Sequence, residues 1–322
     1  MNAFARRLLF GFILSASLPT TYLAQTARSD RLFKVTLIGT GTPLPSVDRF
    51  GPSTLVEVGN QKLLFDVGRG ATIRLTQAGV PLRDINAVFL THLHSDHVNG
   101  LSDLWLTGWL PPAFGRRTTA FRIYGPSGTR EMMSYLERAH QADIRMRMAD
   151  EHESASGIAI DATDVTEGVV YEREGVRVTT FDVDHGEEVK PALGYRVDFS
   201  GRSVVLSGDT RLSRNLIAHA KGADVVIHEV MAVTDDALRE SDVTRLIMAH
   251  HISPEQAGRV FAEAAPRLAV YSHVILGAGV STDDLIRRTK AAYAGAIEVG
   301  SDLMTIDVSD VPRVTRRDPT RP

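Results

Sequence analysis

The feature that most constrains this chain is a cluster of histidines and one aspartate directly after the apolar segment 87–90. The cluster reads Thr91-His92-Leu93-His94-Ser95-Asp96-His97. Neutral imidazoles and carboxylates are the ligands that a zinc-type cation prefers at close range. Crowding so many ionisable groups into one turn costs stability unless a metal or a proton network holds them together. The spacing therefore predicts a metal site, and metal sites of this composition are typical of hydrolases.

The composition limits the chemistry that is available. The chain has 322 residues, no cysteine and a formal net charge of −3 at pH 7. Without cysteine there are no disulfides, thiolate ligands or cysteine nucleophiles. The charge balance gives no basic field of the kind that nucleic-acid-binding proteins use, so we expect no nucleic acid polymer as a partner. A hydrophobic fraction of 43% is typical of a globular protein with a sizeable core.

The N-terminus has the pattern of an export signal. Arg6 and Arg7 precede an apolar stretch, 8–18, that is too short to span a bilayer comfortably. The pair of arginines also permits a twin-arginine type of signal. We expect residues 1–27 to direct the protein to the periplasm or the exterior, without stable membrane anchoring. An uncleaved membrane anchor is the alternative.

The rest of the chain alternates between strand-like and helix-like segments in a rhythm that occurs twice. Segment 33–38 predicts a strand and Pro254–Ala264 a helix, whereas 141–160 reads as a polar, irregular loop. Two sheets packed face to face with helices outside would satisfy such a rhythm. We expect one hydrolase domain over residues 28–312 and a disordered tail over 313–322.

Polar candidate residues follow several predicted strands at the point where each strand ends. These residues are His92, His185, Asp209 and His273. Strand ends at one edge of a sheet converge on a common cleft, which is where layered α/β folds place their sites. Residues far apart in the chain are therefore expected to share one site.

The order of these residues resembles that of the metallo-β-lactamase superfamily, and in particular of its ribonuclease Z and arylsulfatase-like branch. The resemblance covers the chain from about Leu32 onward and implies an α/β fold, a four-layer αββα sandwich. The motifs that carry it are H-x-H-x-D-H, Gly39-Thr40-Gly41-Thr42-Pro43, Leu193-Gly194-Tyr195 after His185, Ser207-Gly208-Asp209-Thr210, His228-Glu229-Val230 and His251-Ile252-Ser253-Pro254-Glu255-Gln256-Ala257.

The resemblance implies two divalent metal ions, with zinc expected and manganese or iron as alternatives. The implied ligands are His92, His94 and His185 for the first metal, Asp96, His97 and His273 for the second, and Asp209 as a bridge. The catalytic residues would be Asp96, which can also accept a proton, and the pair Glu229 and His251, which can give a proton to the leaving group. His250 is the alternative to His251 in that pair.

The chain departs from ribonucleases Z in one segment. Those enzymes carry a long arm that grips tRNA, in the short bacterial form between the isolated histidine and the Gly-Asp-Thr motif. Here Asp209 follows His185 by only 24 positions, which leaves no room for an arm. The sequence therefore favours an exported dinuclear hydrolase of small anionic esters, either a phosphodiester or an aryl sulfate, acting through a metal-bridging hydroxide. A lactone or lactam hydrolase is the alternative, and tRNA 3′-processing is less expected.

Two further points stay open at the level of sequence. Trp105 and Trp109 follow the histidine cluster, and they could form either a wall for an aryl leaving group or part of the core. A homodimer is compatible with the resemblance, as is a single subunit.

Overall fold

Two β-sheets form the centre of the computed structural model, which describes residues 32–112 and 114–317. The strands are β1 Phe33–Gly39, β2 Ser53–Val58, β3 Gln61–Phe65, β4 Ala87–Phe89, β5 Phe121–Gly125, β6 Ile160–Asp164, β7 Gly168–Arg173, β8 Val176–Val183, β9 Ala192–Phe199, β10 Arg202–Leu206, β11 Val225–Ala232, β12 Leu268–Leu276, β13 Ile297–Val299, β14 Thr305–Asp307 and β15 Arg313–Thr315. Within the described residues, one sheet has the order β15-β14-β1-β2-β3-β4-β5-β6 and the other β13-β12-β11-β10-β9-β8-β7.

Helices cover the outer face of each sheet. They are α1 Ala71–Gln77, α2 Ser95–Val98, α3 Leu101–Trp109, α4 Thr129–Ala139, α5 Gln141–Asp150, α6 Ala155–Ile158, α7 Arg214–Ala220, α8 Asp235–Glu240, α9 Asp242–Met248, α10 Pro254–Ala264 and α11 Thr282–Lys290. A 3-10 turn, Leu82–Asp84, precedes β4. The helix over 254–264 begins with a capping box, in which the Ser253 hydroxyl accepts from the Gln256 amide.

The alternation of apolar side chains along the strands produces three separate cores. In β2, Val56 and Val58 face the space between the sheets, whereas Leu55 faces the helices of the first sheet. Successive side chains of a strand point to opposite faces, so one apolar strand can serve two cores. A third core, which includes Phe181 and Phe261, lies between the second sheet and its helices. These layers confirm the predicted αββα sandwich.

The segment 141–160 differs from the expected irregular loop, because it forms α5, α6 and the first residue of β6. Helix α5 buries only Ile144, so its sequence shows almost no apolar period. Instead, Arg147 pairs with Asp143 and with Glu151, each one turn away along the chain. Such pairs stabilise a helix on a largely exposed surface.

The tryptophans are core residues. Trp105 and Trp109 are both fully buried, and their indole N–H groups donate to Ile158 O at 2.9 Å and to Ser154 O at 2.8 Å. The two tryptophans therefore belong to the core and do not form a wall for an aryl leaving group. Their hydrogen bonds hold the segment around α6 against α3.

The predicted termini lie partly outside the described residues. The expected export signal, 1–27, falls there entirely and stays a prediction. Among residues 32–112 and 114–317, no helix is both long enough and apolar enough to cross a membrane. At the other end, Arg313–Thr315 pairs with β14, so the expected disorder does not hold for these three residues.

Candidate metal centre

The predicted ligands meet at the edge where strands of both sheets end. From the first sheet, His92 follows β4, and the short helix α2 carries Asp96 and His97. From the second sheet, His185 follows β8 and Asp209 follows β10. Within residues 32–112 and 114–317, four groups of three side chains lie close enough to hold a metal ion. They are His92, His94 and His185; His92, His97 and Asp209; Asp96, His97 and His273; and His185, Asp209 and His251.

A bulge in β12 brings the last histidine to this edge. Ser272 and His273 together lie opposite the single residue Glu229 of β11. His273 has a φ of 46°, which is uncommon for a residue with a side chain. A bulge re-aims side chains and is frequent beside active sites. It lets neighbouring strands present both Glu229 and His273 to the same cleft.

Three histidine nitrogens form the first set. His94 Nδ1 lies 3.0 Å from His92 Nε2 and 3.3 Å from His185 Nε2. Two nitrogens that bind one tetrahedral zinc ion at about 2.0–2.1 Å are separated by roughly 3.3 Å. The three imidazoles therefore have the spacing of ligands around a single ion.

The second set combines a carboxylate with two histidines. Asp96 Oδ2 lies 3.2 Å from His273 Nε2 and 3.6 Å from His97 Nε2. His97 Nε2 is buried and has no hydrogen-bond partner among the described residues. Because a buried nitrogen without a partner is costly, this atom fits the position of a metal ligand.

Asp209 lies between the two sets. Its Oδ2 is 3.4 Å from His97 Nε2, 3.3 Å from His273 Nε2 and 3.9 Å from His185 Nε2. The carboxylate is almost completely buried. One oxygen atom thus approaches nitrogens of both sets, which is the arrangement that a bridging ligand requires.

The electrostatics of the centre favour cation binding. Burial lowers the pKa of His92 well below its usual value and that of His185 to about 4, so both are neutral near pH 7. Burial alone would raise the pKa of Asp209, but His273 and His97 outweigh it and hold this pKa well below the ordinary range. His97 differs: burial disfavours its charge, but Asp209 and Asp66 outweigh burial and raise the pKa of His97 well above its usual value. The neutral forms of His92 and His185 and the ionised form of Asp209 are ready to bind a metal, whereas His97 must release a proton to do so.

Asp66, at the end of β3, is part of the centre although we did not single it out from the sequence. Its Oδ2 accepts from His97 Nδ1 at 2.8 Å and from Thr91 Oγ1 at 2.9 Å, and its Oδ1 accepts from Thr91 N at 2.8 Å. It thereby fixes the ring of His97 with Nε2 towards the ligands. Asp66 follows β3, which pairs in parallel with β4, and this position at a strand end is the feature that could have indicated its role.

A buried Glu229 and a partly buried His251 form a pair beside the predicted ligands. His251 Nδ1 donates to Glu229 Oε2 at 3.2 Å, and Ile252 N donates to Glu229 Oε1 at 3.0 Å. Burial opposes the charge on His251, but the carboxylate outweighs it and raises the pKa of His251 to about 9. His250, the alternative in this pair, instead donates from Nδ1 to the carbonyl oxygen of His185.

Comparison with known proteins identifies relatives over almost the whole described chain. The family model of the beta-lactamase superfamily domain matches residues 62–274. Ribonuclease Z of Mycobacterium avium (strain 104) is 36% identical over 278 residues, which cover 86% of this chain and 99% of that enzyme. This level of identity over nearly full length shows a common family.

Solved structures show the same fold at lower identity. The metallo-β-lactamase fold protein YhfI from Bacillus subtilis superposes with a TM-score of 0.65, at 20% identity and over 85% of this chain and 98% of that one. Human tRNase Z, short form, gives a TM-score of 0.63, at 20% identity and over 86% and 99% of the two chains. The two-layered core of sheets is therefore shared.

These relatives correct two expectations from the sequence. A small anionic ester as the substrate, with acyl substrates as the alternative, is wrong, and so is the expectation that no nucleic acid polymer takes part. Both expectations depended on the short interval after His185 and on the net charge. A short interval removes one means of gripping RNA, but it does not change the residues that meet at the edge of the two sheets. The chain belongs to the metallo-β-lactamase superfamily, in its ribonuclease Z branch, and is a metal-dependent hydrolase.

Proposed function

We propose that this protein is an endoribonuclease of the ribonuclease Z type, which hydrolyses a phosphodiester bond at the 3′ side of tRNA. The observation that carries the proposal is the position of Asp209 Oδ2, which approaches histidine nitrogens from both ligand sets. A bridged pair of metal sites suits in-line displacement at phosphorus. The identity to enzymes named ribonuclease Z supports RNA as the source of that phosphorus.

The donor atoms favour zinc. One set offers three imidazoles, and the other offers two imidazoles and a carboxylate, with Asp209 shared between them. Zinc prefers such nitrogen-rich sets at four-coordinate sites, although other divalent metals tolerate the same ligands. When bound, two divalent ions supply an activated water and neutralise the charge that develops on the phosphate.

The residues of the chain move the protons. In the proposed step, the oxygen of the attacking water forms a bond to phosphorus, and Asp96 accepts the proton that this water loses. The bond between phosphorus and the leaving oxygen then breaks, and His251 gives its proton to that oxygen. Because the pKa of His251 is raised to about 9, the imidazole holds this proton at neutral pH. Glu229 keeps the ring oriented.

Substrate binding must use surfaces other than a long arm. The loop between β8 and β9 spans only residues 184–191. Since fewer phosphate contacts weaken RNA binding without changing the reacting groups, the short loop affects KM more than kcat. We therefore expect a KM in the upper part of the common range of about 1 μM–1 mM.

The test is cleavage of a precursor tRNA with a 3′ extension by the zinc-loaded protein, with an unfolded RNA of the same 3′ sequence for comparison. We expect cleavage at one position at the 3′ side of the folded tRNA, and none by Asp209→Ala. Asp150→Ala, which removes an exposed carboxylate of α5, is the matched control and should cleave normally. If the wild-type protein holds two metals and leaves the precursor intact, the proposed function is wrong.

A further inference from the structure

We propose that His250 is a positioning residue for the metal centre, because its side chain holds the backbone of the ligand His185 in place. His250 belongs to neither ligand set, and no hydrogen bond joins it to Glu229 among the described residues. The inference rests on the proposed metal centre and goes beyond it, since it assigns a role to a histidine outside the ligands and the proton-donating pair.

Two reciprocal hydrogen bonds join the residues. His185 Nδ1 donates to the carbonyl oxygen of His250 at 2.8 Å, and His250 Nδ1 donates to the carbonyl oxygen of His185 at 2.9 Å. A carbonyl oxygen only accepts, so each Nδ1 must carry its hydrogen. The first bond leaves the lone pair of His185 Nε2 on the side of His94. The second bond fixes the main chain from which that ring projects.

The residue after His185 is shaped to admit the His250 ring. Gly186 has a φ of 102°, and a Cβ atom at this position would lie 2.5 Å from His250 Nδ1. Any side chain there would push the imidazole away from the His185 carbonyl. The glycine therefore permits the reciprocal contact.

The opposite flank of His185 is tied to the loop that carries Asp209. Arg211 donates to Asp184 Oδ1 at 2.7 Å, and Asp184 N donates to Thr210 Oγ1 at 3.1 Å. The two flanks together fix His185 between neighbouring loops. Without the His250 side chain, His185 retains its bond to the His250 carbonyl oxygen but loses the bond that holds its own carbonyl, and the metal site that contains His92, His94 and His185 loses part of its preorganisation. Neither of the two hydrogen bonds between His185 and His250 involves Asp96, His97 or His273.

The test is the affinity of the metal-free protein for zinc, measured by competition with a chromophoric chelator. His250→Leu keeps the bulk of the side chain but loses the N–H donor. We expect this variant to bind one of the two zinc ions about 10–100-fold more weakly than the wild-type protein. His250→Asn should restore most of the affinity, because its Nδ2–H occupies the place of the imidazole Nδ1–H. At subsaturating zinc, RNA cleavage by the leucine variant should fall, and it should recover in excess zinc.

His140→Leu is the matched control, because it replaces a half-buried histidine at the end of α4, away from the centre. The inference is overturned if folded His250→Leu binds both ions as tightly as the wild-type protein, or if His250→Asn is as weak as His250→Leu. If the leucine variant does not fold by circular dichroism, His250→Ala replaces it with the same expected result. A wild-type protein that binds fewer than two zinc ions would overturn the metal centre itself, and this inference with it.

Discussion

At the scale of single residues, the centre depends on groups that hold the ligands as much as on the ligands. Asp66 satisfies three donors at once, two from Thr91 and one from His97. Glu229 accepts from His251 and Ile252, and so it orients the proposed proton donor rather than a ligand. A partner such as Asp66 fixes the tautomer and orientation of a ligating histidine and tunes its affinity for metal.

Asp66→Asn should weaken zinc binding at the set that contains His97. An asparagine offers one acceptor oxygen in place of a carboxylate, and its amide group would face one of the three donors. We expect a loss of about 10–100-fold in the affinity for one zinc ion, measured by chelator competition. Asp150→Asn, on the exposed face of α5, is the control. Equal affinities in the two variants would show that Asp66 does not position the ligand.

At the scale of elements, hydrogen bonds join the loop after β4 of the first sheet to β9 of the second sheet. Leu193 N of β9 donates to Thr91 O at 2.8 Å, and Tyr195 Oη donates to Leu90 O at 2.6 Å. Gly208 packs so closely against both segments that a Cβ atom would lie 2.6 Å from Leu193 O of β9 and 3.0 Å from Thr91 Cβ in the loop after β4. The Leu-Gly-Tyr and Gly-Asp-Thr motifs thus join the loop after β4 to the second sheet.

Trp105→Phe should destabilise the fold without altering the metal centre. The substitution keeps the buried ring but removes the N–H that satisfies Ile158 O. A buried carbonyl left without its donor costs about 1–3 kcal/mol of unfolding free energy, which urea denaturation would measure. Tyr135→Phe removes an exposed hydroxyl of α4 and should change stability by less than about 0.5 kcal/mol. A Trp105→Phe variant as stable as Tyr135→Phe would contradict this account of α6.

At the scale of the whole molecule, the sequence predicts the sandwich, and it predicts which residues come together at one edge, but it does not predict the substrate. Apolar alternation and strand-end residues such as His92 and Asp209 follow local rules, and the structure brings these residues together. The sequence did not predict helix α5 because this helix is largely exposed and is stabilised by ion pairs, so its apolar residues show no helical period. Asp66 was missed because its role depends on a partner in a neighbouring strand, which spacing alone does not reveal. The substrate prediction was wrong because the length of one loop was given more weight than the resemblance of the motifs to the ribonuclease Z branch.

The central claim is that the facing edges of two sheets build one dinuclear centre, with Asp209 as the shared ligand. Anomalous diffraction at the zinc absorption edge from crystals of the zinc-loaded protein tests it most directly. We predict two peaks, one among His92, His94 and His185 and one among Asp96, His97 and His273, each within coordination distance of the Asp209 carboxylate. A single peak, or two peaks that do not share Asp209, would contradict the account.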